Sequence, residues 1–391
     1  MKIIFWIALF IVFYTYIGYG ILLYIIIRLK RLFVGRPHEA VLPADEELPT
    51  MTLMICAYNE EDIVKEKMAN TLALDYPKDK FRIMWVTDGS NDHTNELLAA
   101  YPEVDIVFSP ERRGKTAALK HGLRELKTRY VAFTDANTMI NTGALREIAR
   151  LFSDPTVGCV SGEKRVAARK AGEMASEGEG LYWRYESTLK RWDSELYSAM
   201  GAAGELYAID PQLCREVPDE ALLDDFMLSM YVVQAGKRIA YTSDAYAREY
   251  GSANIYEESK RKRRIAAGGL QSIWWLRSML NPLRQPLVTF QYVSHRVLRW
   301  SITPVAMVLL LIVNIALVAM GAGTFYTVML ILQTLFYLMA LAGWLTNRFG
   351  YKNKLLYTAY YFVFMNFNVF RGMAYLRSHG KSGAWEKAKR S

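Results

Sequence analysis

The chain has 391 residues, 52% of them hydrophobic and 13% aromatic, with a formal charge of +9; a mean hydropathy near zero reads as one polar domain joined to apolar spans. The three cysteines, Cys56, Cys159 and Cys214, form no CxxC pair, which excludes a disulfide framework or a cysteine-paired zinc site and fits a reducing compartment. The positive charge suits nucleic acid, anionic lipid or phosphorylated substrates alike, and only its placement separates them.

Residues Ile3–Ile27 form an apolar run with no charged residue. At about 1.5 Å per residue, about 20 residues cross the hydrocarbon core, so the run is long enough for a transmembrane helix and too long for a cleaved leader. Arg28, Lys30, Arg31 and Arg36 follow, and a basic flank of this kind places its side in the cytoplasm and the N-terminus outside. Residues 1–30 are thus expected to anchor the chain, and 31–48 to link it to a cytoplasmic domain of residues 49–271.

Within that domain Met51–Ala57, Phe81–Asp88, Asp105–Ser109 and Tyr130–Asp135 read as short buried strands. Glu60–Leu74, Asn91–Ala100 and Lys115–Lys127 between them read as helices. The alternation predicts an α/β fold, a mainly parallel sheet with helices on both faces, and in such sheets ligands bind beyond the carboxyl ends of the strands. Those ends carry Tyr58-Asn59-Glu60, Asp88-Gly89-Ser90 and Asp135-Ala136-Asn137. Asp92 reads equally as an acid of the site and as a turn former or helix cap. Arg112-Arg113-Gly114-Lys115 opens a helix, where basic side chains and free amides attract phosphate. Asp135 and Asn137, two apart after an apolar strand, offer oxygen ligands to one hard cation.

Beyond the domain, Trp, Leu and Arg alternate around Pro282 and Pro286 in residues 272–300, a pattern expected of amphipathic helices in the headgroup layer. Ile302–Met320 and Phe325–Leu345 read as two further spans within a membrane region of residues 301–376, with Pro304 in the first turn of the former. A third stretch, Leu355–Leu376, is interrupted by Asn366, Asn368 and Arg371, and the basic tail 377–391 after it carries Arg377, Lys381, Lys387, Lys389 and Arg390. Counting that stretch as a span would put this basic tail outside, against the charge rule, so spanning, re-entrant and interfacial placements all stay open. No aromatic-interleaved basic surface or nucleic-acid motif occurs, and nucleic acid is not an expected partner.

An ordered set of segments carries a resemblance. AYNEE (Ala57–Glu61), VTDGSNDHT (Val86–Thr94), RGKTAAL (Arg113–Leu119), TDAN (Thr134–Asn137), GAAGELYAID (Gly201–Asp210), LLDDF (Leu222–Phe226), RKRRIAAGGLQ (Arg261–Gln271) and SHRVLRW (Ser294–Trp300) succeed one another. In this order they resemble the family 2 glycosyltransferases of the membrane synthase type, which include cellulose, chitin and hyaluronan synthases. The resemblance implies a GT-A fold and transfer of a sugar from a UDP-sugar to a glycan or lipid acceptor at the cytoplasmic face of a multi-pass membrane protein, with Mg²⁺ or Mn²⁺ as cofactor and membrane lipid around it. It places Tyr58 and Glu60 at the uracil, Asp88 at the base or ribose, and Lys115 near the base or diphosphate. Asp135 and Asn137 fall on the family's DxD metal motif, with Asn in place of the second acid.

Asp225 falls on the general base, with Asp224 beside it to raise its pKa by like-charge repulsion. Direct attack by the acceptor would invert the anomeric carbon and give a β-linkage. Gly204, Glu205 and Ile265 fall on the acceptor side. Arg261–Ile265 falls on the QxxRW signature: Arg264 matches its diphosphate-binding arginine, Arg261 replaces the Gln and is expected beside it on the donor, and Ile265 replaces the Trp that helps hold the growing polymer. That last change points to short products unless another aromatic, such as Trp183 or Trp192, substitutes. The alternative reading is transfer of single sugars to a lipid carrier. A transporter subunit is opposed by the few spans, and an inactive partner by the presence of both Asp135 and Asp225.

Overall fold

The structure, a computed structural model, describes residues 1–35, 40–167, 174–251, 255–349, 351 and 353–379. Arg36 and the tail residues Lys381, Lys387, Lys389 and Arg390 lie outside the described residues.

Four strands form where the apolar runs predict them: β1 (Met51–Ala57), β2 (Phe81–Asp88), β3 (Val104–Ser109) and β4 (Tyr130–Asp135). β1 is buried along nearly its whole length, the mark of a central parallel strand covered on both faces. The helices between them are shorter than their patterns, Val64–Leu72, Thr94–Leu98 and Lys115–Arg124. The first starts late because the chain before it is tied to its neighbour loop. The Glu60 amide donates to Thr94 Oγ1 (2.9 Å) and the Glu61 amide to Asp92 Oδ2 (3.1 Å). Asp92 also accepts from the Thr94 amide (3.1 Å), so it acts as a turn former.

Four more strands were not expected: β5 (Met139–Ile140), β6 (Val157–Ala167), β7 (Leu206–Ile209) and β8 (Arg238–Tyr250). They extend the sheet in the order β3-β2-β1-β4-β7-β6-β8-β5. β1–β2, β1–β4, β2–β3 and β6–β8 pair in parallel, while β7 runs antiparallel to both β4 and β6, and β5 to β8. The sheet is mixed and mostly parallel, with apolar cores on both faces. Successive strand residues point to opposite faces, so Leu53, Ile55 and Trp85 join one cluster while Met54, Met84 and Val86 join the other.

Three helices are long and apolar enough to cross a membrane: Lys2–Val34, Pro286–Ala319 and Thr324–Arg348. The first contains a π-turn at Tyr14–Gly18. The second differs from the sequence reading, which separated an interfacial segment to residue 300 from a span beginning near 302. One helix runs through both, passing from Pro286–Tyr292 into π-turns over Val293–Ile302 and back to α-helix at Thr303. Pro304 therefore opens only the last α-helical part, and the wider π-turns precede the position where its ring would crowd the preceding turn.

The interrupted stretch forms a single helix, Lys354–His379, and its polar residues are explained by packing. Tyr16 OH donates to Asn366 Oδ1 (2.5 Å), Ser259 Oγ to Asn368 Oδ1 (2.9 Å), and Arg371 Nη1 to Ser259 Oγ. A polar group in an apolar helix is tolerated where it faces protein partners. Here the partners come from the first helix and from the helix Ile255–Trp275, which carries Arg261, Arg264 and Ile265.

Candidate active site

The loops after β1, β2 and β4 converge beyond the carboxyl ends of their strands. After β1, Asn59 adopts a left-handed conformation (φ 52°) and locks to the β2 loop through its side chain: Asn59 Nδ2 donates to Asn91 Oδ1 (2.7 Å), and the Asn91 amide returns to Asn59 Oδ1 (3.0 Å). This turn presents Tyr58, whose ring lies 3.9 Å from the Arg112 guanidinium. At the end of β2 buried Asp88 accepts from the amides of Arg113 (2.9 Å) and Gly114 (2.6 Å). The sequence reading left those amides open to a phosphate. Instead the Asp88 carboxylate occupies this helix N-terminus, a favourable place for an anion, and thereby fixes the start of the helix that carries Lys115. Gly89 allows the close approach, since a Cβ there would sit 2.5 Å from the Arg112 amide nitrogen.

Lys115 then reaches across to β4, where its Nζ donates to Asp135 Oδ1 (2.6 Å). Burial alone would depress the Lys115 pKa, but Asp135, Asp224 and Asp225 around it hold it well above the usual lysine range. The Asp135–Asn137 loop is closed by the Thr138 hydroxyl, which donates to the Asp135 carbonyl (2.9 Å). Beneath it the fully buried Lys67 donates to Thr138 O (2.5 Å) and Thr134 Oγ1 (3.2 Å), and burial brings its pKa down to about 7.

Lys115 and Asp135 form one edge of a cavity of about 440 Å³. Asp224 and Asp225 face it from the first turn of the helix Asp224–Gln234, and Gly204 and Glu205 from the loop before β7. Arg261, Arg264 and Ile265 line it from the helix Ile255–Trp275. Gly204 has no room for a side chain, because a Cβ would meet Asp225 Oδ2 at 2.8 Å.

Burial and then the neighbouring Asp224 push Asp225 up to about 6, while Lys115 opposes the shift. Two polar atoms here are buried without a hydrogen-bond partner among the described residues, Asp224 Oδ2 and Arg264 Nε. Buried polar atoms of this kind ordinarily have partners, so their lack of one at this wall fits a site shaped for a polar ligand. Burial lowers the pKa of Arg264, although a guanidinium still stays charged.

Glu205 is tied up in an ionic network: it accepts from Lys164 Nζ (2.6 Å) and Arg261 Nη2 (3.1 Å) through Oε1. Burial would raise its pKa, but Lys164 and Arg261 hold it far below the usual carboxylate range. The Glu205 and Arg261 side chains are thus engaged with each other. Of the other positions singled out by sequence, Asn137 is half-buried but is not part of the cavity wall, and Tyr58, Glu60 and Asp88 lie in the adjoining loops. Trp183 lines the cavity, whereas Trp192 packs against Tyr24 of the first helix.

Four more charged side chains in the lining were given no role in the sequence reading, although Arg296 and Arg299 fall in its SHRVLRW segment. Glu186 and Lys190 of the helix Met174–Leu196 and Arg296 and Arg299 of the helix Pro286–Ala319 line the same cavity as Asp225. Tyr16 and the Lys354–His379 helix extend it toward the apolar helices. For Arg296 and Arg299 the available signal was charge within a long apolar helix, whereas the helix holding Glu186 and Lys190 is polar and gave none. All four sit in Trp- or Tyr-rich stretches that read more readily as surface.

Comparison with known proteins agrees with this geometry. Residues 52–209 match the family described as glycosyl transferase family 2. Poly-beta-1,6-N-acetyl-D-glucosamine synthase of Staphylococcus aureus (strain MSSA476) is 35% identical over 125 residues, 31% of this chain and 30% of that protein. Beta-monoglucosyldiacylglycerol synthase of Synechocystis sp. is 25% identical over 259 residues, 62% of this chain and 53% of that protein. The chain thus spans under a third of the first relative and about half of the second. Among solved structures, the mannosyltransferase PcManGT from Pyrobaculum calidifontis, in complex with GDP-Man and Mn²⁺, superposes with a TM-score of 0.68 at 21% identity, covering 95% of this chain and 98% of that one; it shares the fold. Residues 52–209, from β1 to the end of β7, thus carry a glycosyl transferase family 2 domain, and the relatives that the chain resembles are glycosyltransferases by name.

Proposed function

We propose that the protein transfers a sugar from a UDP-sugar to a hydroxyl of a lipid or short glycan acceptor at the membrane, with inversion to a β-linkage. The observation that carries this reading is Asp225, held basic by burial and Asp224, facing Lys115, Asp135 and Arg264 across one cavity that also touches the membrane-type helices. A sugar hydroxyl is a weak nucleophile until its proton is taken. Asp225 accepts that proton as the hydroxyl oxygen bonds to the anomeric carbon and the bond to the diphosphate breaks. Arg264 and Lys115 stabilise the charge that develops on the diphosphate. Tyr58, Glu60 and the Asp88-braced loop hold the nucleoside.

A divalent ion fits the donor set only in company with the diphosphate. Asp135 and Asn137 bring hard oxygen ligands, and Asp224 Oδ2 is an unmatched buried acceptor nearby. No group of three or more His, Cys, Asp or Glu residues among the described residues makes a metal site by itself. Such a site suits Mg²⁺ or Mn²⁺, which binds through one or two protein ligands plus substrate phosphates. When bound, the ion adds positive charge beside the leaving diphosphate. Two similar proteins support this reading: PcManGT was solved with GDP-Man and Mn²⁺, and the Synechocystis protein is named for a glycolipid product.

A panel of UDP- and GDP-sugars scored by nucleoside diphosphate release tests the reading, and no release with any donor would overturn it. Excess chelator is expected to reduce release by about a hundredfold or more, with recovery on adding Mn²⁺ or Mg²⁺. Undiminished turnover in chelator would remove the ion from the scheme. Ile265 in place of an aromatic platform supports short products, because a sugar ring has no flat face to stack on there.

The basic flank after the first helix supports a cytoplasmic domain. In intact cells an impermeant thiol reagent is expected to miss Ser90→Cys and to label Ala322→Cys, which lies in the turn joining the two C-terminal apolar helices. The opposite pattern would reverse the orientation.

A further inference from the structure

Lys190 stands in the cavity wall only 3% exposed, and among the described residues it has no hydrogen-bond or ion-pair partner. The acid one turn before it is not available. Glu186 Oε1 pairs with Arg296 Nη1 (2.8 Å), and Glu186 Oε2 with Arg299 Nη1 (2.9 Å) and His295 Nε2 (3.2 Å). Desolvating an ammonium group without a counter-ion is costly. Burial, with Arg296 beside it, brings the Lys190 pKa down to about 8, which leaves it mostly charged at neutral pH. Such a cation in a cavity wall calls for an anion that arrives with a ligand.

That anion is not the donor diphosphate. The charges acting on Lys115 are Asp135, Asp224 and Asp225, whereas those acting on Lys190 are Arg296, Glu186, Glu205 and Asp225. Asp225 is common to both, whereas Asp135 weighs on Lys115 and Arg296, Glu186 and Glu205 weigh on Lys190, so Lys190 belongs to the Glu186–Arg296 part of the cavity lining. The cavity continues there between apolar side chains: Phe362, Met365 and Val369 of the Lys354–His379 helix and Trp300. A free acidic glycan would gain little from this lining. An amphiphile, by contrast, would place its headgroup at Lys190 and its apolar part along these side chains.

We propose that Lys190 is an acceptor-specificity residue that binds the phosphate of a hydroxyl-bearing phospholipid headgroup, whose hydroxyl is thereby presented to Asp225. This rests on the transferase reading and names its acceptor class. Arg296 adds positive charge to the same pocket while holding its helix to the Met200 carbonyl through Nε (2.7 Å). The attacking atom is the headgroup hydroxyl, its proton passes to Asp225, and the phosphate serves only as a handle.

The test uses the full chain in vesicles of neutral phosphatidylcholine, with either phosphatidylglycerol or diacylglycerol added as acceptor, and reads donor-derived nucleoside diphosphate and labelled glycolipid. The parent chain is expected to favour phosphatidylglycerol. Lys190→Gln should lower the phosphatidylglycerol-to-diacylglycerol turnover ratio about ten- to a hundredfold, chiefly through the half-saturating lipid fraction, and Lys190→Arg should keep it within a few-fold. A ratio of variants does not depend on how much protein folds. An unchanged ratio in Lys190→Gln, a parent preference for diacylglycerol, or no lipid product with either acceptor overturns the proposal. If free glycerol phosphate serves as well as the vesicles, with the same dependence on Lys190, the anion site stands and the lipid source falls. Calorimetric titration of the donor separates the two readings, since absence of donor binding would remove the transferase reading itself.

Discussion

Asp225→Asn should lower transfer by about 10²–10⁴-fold, the range for loss of a general base, while donor affinity changes by no more than a few-fold. The amide keeps the shape of the carboxylate but cannot accept a proton. The space around it is tight, with Gly204 leaving no room for movement on that side and the Phe226 amide donating to Asp225 Oδ1 (2.8 Å).

The same assignment fixes the pH dependence. Asp225 sits near pKa 6 and works as the anion, so kcat/KM should be flat above about pH 7 and fall as pH drops through 6. Asp224→Asn removes the like charge that raises this pKa, so the falling limb should move to lower pH. Rates measured between pH 4.5 and 8.5 decide it. A limb that stays in place in Asp224→Asn separates the two acids, and near-parental turnover in Asp225→Asn removes the base.

Lys164→Met should destabilise the domain by about 3–5 kcal/mol, the range for breaking a buried pair, and lower the apparent thermal midpoint by on the order of 10 °C. Lys164 has no exposed side-chain surface and lies between Glu205 and Glu249, which are themselves buried, with Arg261 completing the network at Glu205. Methionine fills the space but removes the ammonium group that Glu205 and Glu249 share, leaving Glu205 to Arg261. The depressed Glu205 pKa has a definite sign: its stabilising contribution is present above the ordinary carboxylate range and is lost only as pH falls through the lowered value. Adding Glu249→Gln to Lys164→Met should recover part of the loss. Thermal unfolding within 2 °C of the parent chain would show that the network contributes little.

Much of the architecture was legible along the chain because it is written in local patterns. Apolar runs such as MTLMICA and FRIMWVTD end in polar residues, so β1 and β2 and the loops beyond them could be drawn from sequence. The presence and rough position of the three apolar helices follow from composition, although the second runs back to Pro286. β6, β7 and β8 were not drawn, since β7 has only four residues and β6 and β8 carry charged residues, such as Glu163, Lys164, Arg165, Asp244 and Arg248, that interrupt an apolar pattern.

The candidate site divides the same way. The succession Asp88, Lys115, Asp135, Asp225 and Arg264 was visible as a set of motifs, because each sits at a strand end or in a charged run. Only the folded chain decides what each side chain touches. Asp88 braces the helix carrying Lys115, Glu205 is held by Lys164 and Arg261, and Glu186 is taken by two arginines more than a hundred positions away. Sequence alone therefore determined the strand ends, the acids they carry and the apolar spans, all set by short-range periodicity and hydrophobicity. Tertiary structure alone decided which charges neutralise one another and that Lys190 is left facing the cavity, because a buried charge is satisfied by whatever the fold brings within about 3 Å, whatever its distance along the chain.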